Sequence, residues 1–213
     1  MNLIEAKSLV KSFGSQKVLA GLSFEVQMNE MVAIMGKSGT GKSTLLNILG
    51  LLDKPDQGDL KMFGLTNIRP FSSKASSILR NKIGFLFQNF ALIDNKTVEY
   101  NLALALKNRR KINKSMEIFE ALKQVGLEGF EKKHIYQCSG GEQQRIAVAR
   151  LLLKPCELVL ADEPTGSLDI QNRDEIVRLL NLLKESGKTV LIVTHDPEVA
   201  KKCDRTIYLE SHS

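Results

Sequence analysis

Residues 31–43, M-V-A-I-M-G-K-S-G-T-G-K-S, decide how the rest of the chain is read. The first five are apolar, a short run of the kind that parallel sheets bury on both faces. A glycine-rich turn follows at once, and residues 43–52 then carry apolar side chains at helical spacing. Strand, turn and helix in that order make a phosphate-binding loop. Its glycines let successive backbone N–H groups converge on phosphate oxygens, and the helix adds its positive end. Gly36, Lys37, Ser38, Gly39, Thr40, Gly41, Lys42, Ser43 and Thr44 are therefore the candidate nucleotide ligands. Lys42 is expected to reach the terminal phosphates, and the Ser43 hydroxyl to ligate magnesium.

Outward from this loop the pattern is α/β. Residues 18–27 alternate like a half-exposed strand, 58–64 read as a hairpin edge, and 82–87 read again as a strand. From 97 to about 154 the periodicity is helical, with Asn113 or Ser115 as caps, breaks at Gly126 and Gly129, and a later helix opening at Ser139. After Pro155 strands at 158–161, 189–194 and 206–209 alternate with helices at 170–186 and 197–202, Gly187 ending the first of these. The predicted fold is one domain over 1–213 with a parallel core sheet and a small antiparallel β portion. Residues 1–88 and 155–213 form its nucleotide-binding core, and 89–154 an inserted α-helical subdomain. The run L-V-L-A-D-E at 158–163 ends in two carboxylates, where ligands gather in an open α/β sheet. Asp162 is expected to hold magnesium, directly or through water, and Glu163 to polarise an attacking water.

The formal charge of +6 is spread along the chain. Its longest cluster, Lys107, Arg109, Arg110 and Lys111, reads as a solvated helix end, so nucleic acid is not an expected partner. Cys138, Cys156 and Cys203 have no metal-ligand spacing and leave one thiol unpaired in any disulfide scheme, which favours a reducing cytosol. No stretch approaches the roughly 18 apolar residues of a spanning helix, and residues 1–7 do not resemble a secretory signal.

One further motif names a family. C-S-G-G-E-Q-Q-R at 138–145 resembles the signature of ABC-type ATPases. The resemblance covers the whole chain. Phe13 matches the aromatic that stacks on adenine, and Gln88 the glutamine after the third strand, with a place in magnesium coordination and catalysis. Ser167, Leu168 and Asp169 match the short loop after the carboxylates, and His195 the histidine after the last core strand. The resemblance implies a head-to-tail homodimer with two ATP molecules and Mg2+ at its interface. Ser139, Gly140, Gly141 and Glu142 of one subunit then face the nucleotide held by the other. It also implies membrane permease subunits as partners, a place on the inner face of the cell membrane, and coupling through Gln88 and the apolar loop of Asn89, Phe90 and Leu92.

Two positions depart from the family pattern: Cys138 stands where leucine is common and Glu142 where glutamine is common. A nucleotide-gated clamp with negligible turnover is the competing expectation that Glu142 raises. The interval between Ser43 and Asp162 holds no sustained heptads, which sets the chain apart from the coiled-coil DNA-repair members. The runs at 161–169 and 87–94 resemble the MacB/LolD/FtsE group. Residues 83–102, with the short C-terminus, are most similar to a small bacteriocin-export subgroup, which implies peptide export or resistance. A division-type or lipoprotein-release complex is the alternative.

Overall fold

A computed structural model of the chain describes residues 1–87, 89–107, 109, 112–165 and 170–209, with 170–172 described by backbone alone. Gln88, the group Ser167, Leu168 and Asp169, and Arg110 and Lys111 of the basic cluster lie outside the described residues.

The first half of the chain runs β1 (Asn2–Phe13), β2 (Gln16–Gln27), β3 (Met31–Met35), α1 (Lys42–Leu49), β4 (Gln57–Met62), β5 (Leu65–Thr66), α2 (Ser73–Asn81) and β6 (Ile83–Leu86). The second half runs α3 (Val98–Ala103), α4 (Lys114–Gln124), α5 (Gly140–Leu153), β7 (Leu158–Asp162), α6 (Ile170–Glu185), β8 (Thr189–Thr194), α7 (Pro197–Lys201) and β9 (Arg205–Tyr208). Five strands form an all-parallel sheet in the order β6-β7-β8-β3-β9, and four form an antiparallel sheet in the order β2-β1-β4-β5. The parallel core sheet, the small antiparallel sheet and the helices between β6 and β7 are the layers expected from the sequence.

The parallel strands read as unbroken apolar runs because each feeds two cores. Leu158 and Leu160 of β7, with Leu191 and Val193 of β8, pack into the core shared with α1 and the antiparallel sheet. Val159, Ala161, Val190 and Ile192 enter the opposite core with α5 and α6. Each fully buried valine, leucine or isoleucine among them contributes about 1.5–3 kcal/mol.

β1 and α2 lie where the sequence predicts no element. β1 loses its alternation to bulges: Leu3 and Ile4 are both buried, Lys7 and Ser8 both exposed, and Ser8 takes a φ of 50°. α2 is almost wholly polar, buries only Ala75 and Ile78, and starts because the Ser72 hydroxyl accepts the Ala75 N–H. In the helical stretch between β6 and β7, Thr97, Asn113 and Ser139 cap α3, α4 and α5 in the same way. Asn113, not Ser115, is thus the cap of α4.

Because all five core strands are parallel, their C-terminal ends share one edge. Met35 there leads into the glycine-rich loop, Asp162 into Glu163, and Thr194 into His195.

Candidate functional site

The loop between β3 and α1 turns its carbonyls onto its own side chains. Lys42 Nζ donates to the carbonyls of Gly36 (2.7 Å) and Lys37 (3.0 Å), and the Thr40 hydroxyl donates to Lys37 (2.9 Å). The N–H groups of Ser38, Gly39, Gly41, Lys42 and Ser43 find no acceptor among the described residues. Uncommitted donors at a helix start make an anion-binding surface. Gly41 caps α1 at a φ of 88°, and a Cβ there would lie 2.7 Å from Val18 Cγ1 and 2.9 Å from the Val18 carbonyl oxygen. β2 thus presses on the end of the loop.

Across from the loop stands the tip of β7. Ser38, Gly39, Gly41, Lys42, Ser43 and Thr44 line a cleft of about 400 Å³ together with Asp162, Glu163, Val18 and Val193. Burial first, and then the charge of Glu163, push the Asp162 carboxyl above the usual carboxylate value, with Lys42 opposing them. Two adjoining carboxylates on one wall and the Ser43 hydroxyl on the other fit a hard cation such as magnesium. Among the described residues no three His, Cys, Asp or Glu side chains converge to hold a metal alone, so such an ion would also need phosphate oxygens.

A carboxyl raised in this way stabilises the fold below its unfolded value of 3.8 and loses that contribution as the pH rises through the folded value. At neutral pH the chain therefore bears the full cost of ionising Asp162. Asp162→Asn is expected to raise the thermal midpoint at pH 7 without nucleotide or magnesium, the gap closing on acidification. Scanning calorimetry at two pH values checks this, and a variant that melts no higher than wild type contradicts it.

Glu163 has a left-handed backbone, with a φ of 43°. Its N–H donates to the Val193 carbonyl (2.9 Å), and its Oε2 lies 2.9 Å from His195 Nδ1 and accepts the His195 N–H at 3.4 Å. The carboxylate is thus held from two sides by the residue that follows β8. His195 remains mostly exposed.

The other sequence candidates stand apart from this cleft. Phe13, at the β1–β2 turn, is 54% exposed, with Lys11 Nζ 5.4 Å from its ring centre. Lys11 itself is paired with Asp53 (2.9 Å) and Asp56 (3.5 Å). Ser139, Gly140, Gly141 and Glu142 open α5, where Ser139 and Glu142 form a reciprocal capping box: the Ser139 hydroxyl accepts the Glu142 N–H, and Glu142 Oε2 accepts the Ser139 N–H at 2.7 Å. The same oxygen meets Lys133 Nζ at 3.0 Å. Burial raises the Glu142 carboxyl, but the Ser139 N–H and Lys133 outweigh it and hold the group below its usual value. The N–H groups of Gly140 and Gly141 find no acceptor among the described residues, and a Cβ on Gly140 would meet nothing within 4 Å. Packing within the chain does not require that glycine.

Sequence reasoning misses Lys133 and Arg150. Arg150 lies on α5, and its guanidinium donates to the Phe90 and Ala91 carbonyls, 60 and 59 residues away. Neither contact has a local signal. The three cysteines are free; Cys138 and Cys156 are buried, and burial, then Asp204, push the Cys203 thiol up to about 12.

Comparison with known proteins gives a consistent result. The family model described as ABC transporter matches residues 19–166. The macrolide export ATP-binding/permease protein MacB of Escherichia coli K12 is 38% identical over 96% of this chain, which spans 33% of that protein. The uncharacterized ABC transporter ATP-binding protein YvrO of Bacillus subtilis is 39% identical over 90% of this chain and 85% of its own length. Among solved structures, the dimeric post-hydrolysis state of the ATP-binding cassette MJ0796 bound to ADP and Pi superposes with a TM-score of 0.84 at 38% identity, covering 97% of this chain and 94% of that one. CbiO1 of Clostridium perfringens, part of the transporter complex cbiONQ, gives 0.87 at 28% identity over 98% and 85%.

Proposed function

Because the chain belongs to the ABC transporter family, we propose that it binds and hydrolyses ATP as one half of a head-to-tail dimer and so powers a membrane permease of the MacB type, with a peptide or bacteriocin as cargo. One observation carries this reading: the loop of Lys42 and the carboxylates of Asp162 and Glu163 line one cleft, with Glu163 fastened to His195.

In that cleft the loop N–H groups and Lys42 bind the phosphates, and Ser43 and Asp162 would hold magnesium. Bound there, the ion supplies neutralising charge to the phosphate oxygens. Glu163 orients the attacking water and accepts its proton, while His195 keeps the carboxylate aimed. Phosphoryl transfer asks mainly for positioning and charge neutralisation, which these residues provide.

The dimer accounts for α5. Gly140 and Gly141 present free N–H groups away from their own cleft, and the open space at Gly140 admits a partner's nucleotide closely. The dimeric neighbour with ADP and Pi supports the same arrangement. For the permease, the support is a groove lined by Phe85, Phe87, Ala91, Leu104, Arg150 and Lys154, in which Phe87 and Leu104 are exposed. The MacB relatives are ATP-binding/permease proteins by name, and this chain spans about a third of their length. No helix among the described residues is long and apolar enough to cross a membrane. We place the chain at the cytoplasmic face, where it would act on a permease.

The test is phosphate release from the purified chain with ATP and magnesium, with its mass followed by light scattering. Release that requires magnesium, with ATP-dependent dimers, is the expected result. Dimers without release would favour the clamp. Lys133→Ala strands the Glu142 carboxylate at the start of α5. ATP-driven dimerisation is then expected to weaken about tenfold, the order of one unscreened charge a few ångströms from phosphate. Adding Glu142→Gln to that variant restores affinity, and no change in the single variant counts against the charge-compensating role of Lys133.

A further inference from the structure

We infer that Arg150 is a positioning residue for hydrolysis, holding the loop that carries Gln88 in register with the helix that opens at Ser139. The inference rests on the place in magnesium coordination and catalysis that the family resemblance implies for Gln88.

The loop leaves the core sheet at Leu86, and two residues beyond Gln88 it turns through Phe90 and Ala91. Both take left-handed backbones, with φ of 60° and 47°, and neither is glycine. Non-glycine residues persist there only when their surroundings over-determine them. Arg150 does so here, its Nη2 donating to the Phe90 carbonyl at 2.8 Å and its Nη1 to the Ala91 carbonyl at 2.6 Å. A planar fork holds two neighbouring acceptors in a fixed relative geometry, which an ammonium on a flexible stem constrains less. Among the described residues these two carbonyls are the hydrogen-bond partners of the Arg150 guanidinium.

One helical turn further along α5, Lys154 Nζ donates to the carbonyls of Leu79 (3.0 Å) and Ile83 (2.5 Å) at the other end of β6. At its beginning, Gln144 Nε2 donates to the carbonyl of Pro164, directly after Glu163. α5 therefore grips the loops on both sides of the cleft's carboxylate edge. Of these contacts, Arg150 alone acts on the segment of Gln88. The far end of that segment is held separately, because buried Asn101 accepts the Ile93 N–H at 2.7 Å. Releasing Arg150 frees the turn while leaving the loop anchored at Ile93.

The experiment compares Arg150→Gln, Gln88→Ala and the double variant in steady-state ATP hydrolysis, with thermal unfolding beside it. Arg150→Gln is expected to lower kcat about tenfold or more with the KM for ATP changed less than twofold, as misplacement of a catalytic group does. The double variant is expected to be no slower than Gln88→Ala alone. Losses that multiply, or a KM that rises with kcat intact, would overturn the inference and leave Arg150 a stabilising residue. An unchanged kcat in Gln88→Ala would overturn the role of Gln88 and the inference with it, while wild-type turnover keeps the ATPase reading standing. Should Arg150→Gln fail to fold, Arg150→Lys keeps the charge, loses the fork and is held to the same kinetic criterion.

Discussion

Glu163→Gln should bind ATP, dimerise and almost cease to turn over. The amide keeps the size and the acceptor oxygen of the carboxylate, so the 2.9 Å contact with His195 and the left-handed backbone persist. What it removes is the ability to take a proton from water. A general base contributes roughly 10²–10⁴-fold to such reactions, and kcat is expected to fall within that range. The loop and Lys42, which carry nucleotide affinity, lie on the opposite wall and are untouched. The dimer formed with ATP and magnesium should therefore live long enough to isolate by gel filtration. A rate within tenfold of wild type would mean that another group activates the water, and His195 would be the first to examine.

Gly41→Ala attacks the other wall. At a φ of 88° an L side chain is strained, and the added Cβ would also lie 2.7 Å from Val18 Cγ1 and 2.9 Å from the Val18 carbonyl. A methyl can turn away, but the carbonyl belongs to β2, a strand paired along its length with β1. The loop must therefore move at the position where α1 begins, which tilts the N–H groups of Lys42 and Ser43. Strain of this kind costs about 1–3 kcal/mol. The expected outcome is a fall of several degrees in melting temperature and a loss of more than tenfold in nucleotide affinity by fluorescent-nucleotide titration. Wild-type affinity in this variant would show that the loop adapts and that its spacing is not what recognises phosphate.

Where the sequence could be read, it was because chemistry and periodicity were local. β3 and β8 have the bounds expected of them, since every residue of each is apolar or faces a core. The cleft was legible for a similar reason: its polar and charged groups come from two short contiguous motifs, at the tips of β3 and β7 on either side of β8. β1 and α2 were not legible, because bulges interrupt the alternation of one and the other buries just two side chains. Nor could spacing reveal that Glu142 answers to Lys133, or that Arg150 reaches back to Phe90 and Ala91. Such contacts depend on how helices stack on the sheet, which a motif does not record. The sequence raised Glu142 as a charged departure from the family's glutamine, and the structure pairs that charge with Lys133.

The tip of β7 unites two features that each work against the folded chain: Asp162 is ionised where burial and its neighbour oppose it, and Glu163 occupies a backbone conformation suited to glycine. A lineage released from the need to split ATP would gain by altering either. Selection for stability should therefore replace these two acids before the apolar interior of the same strand. Among copies of this gene, their absence would mark those in which turnover is no longer selected.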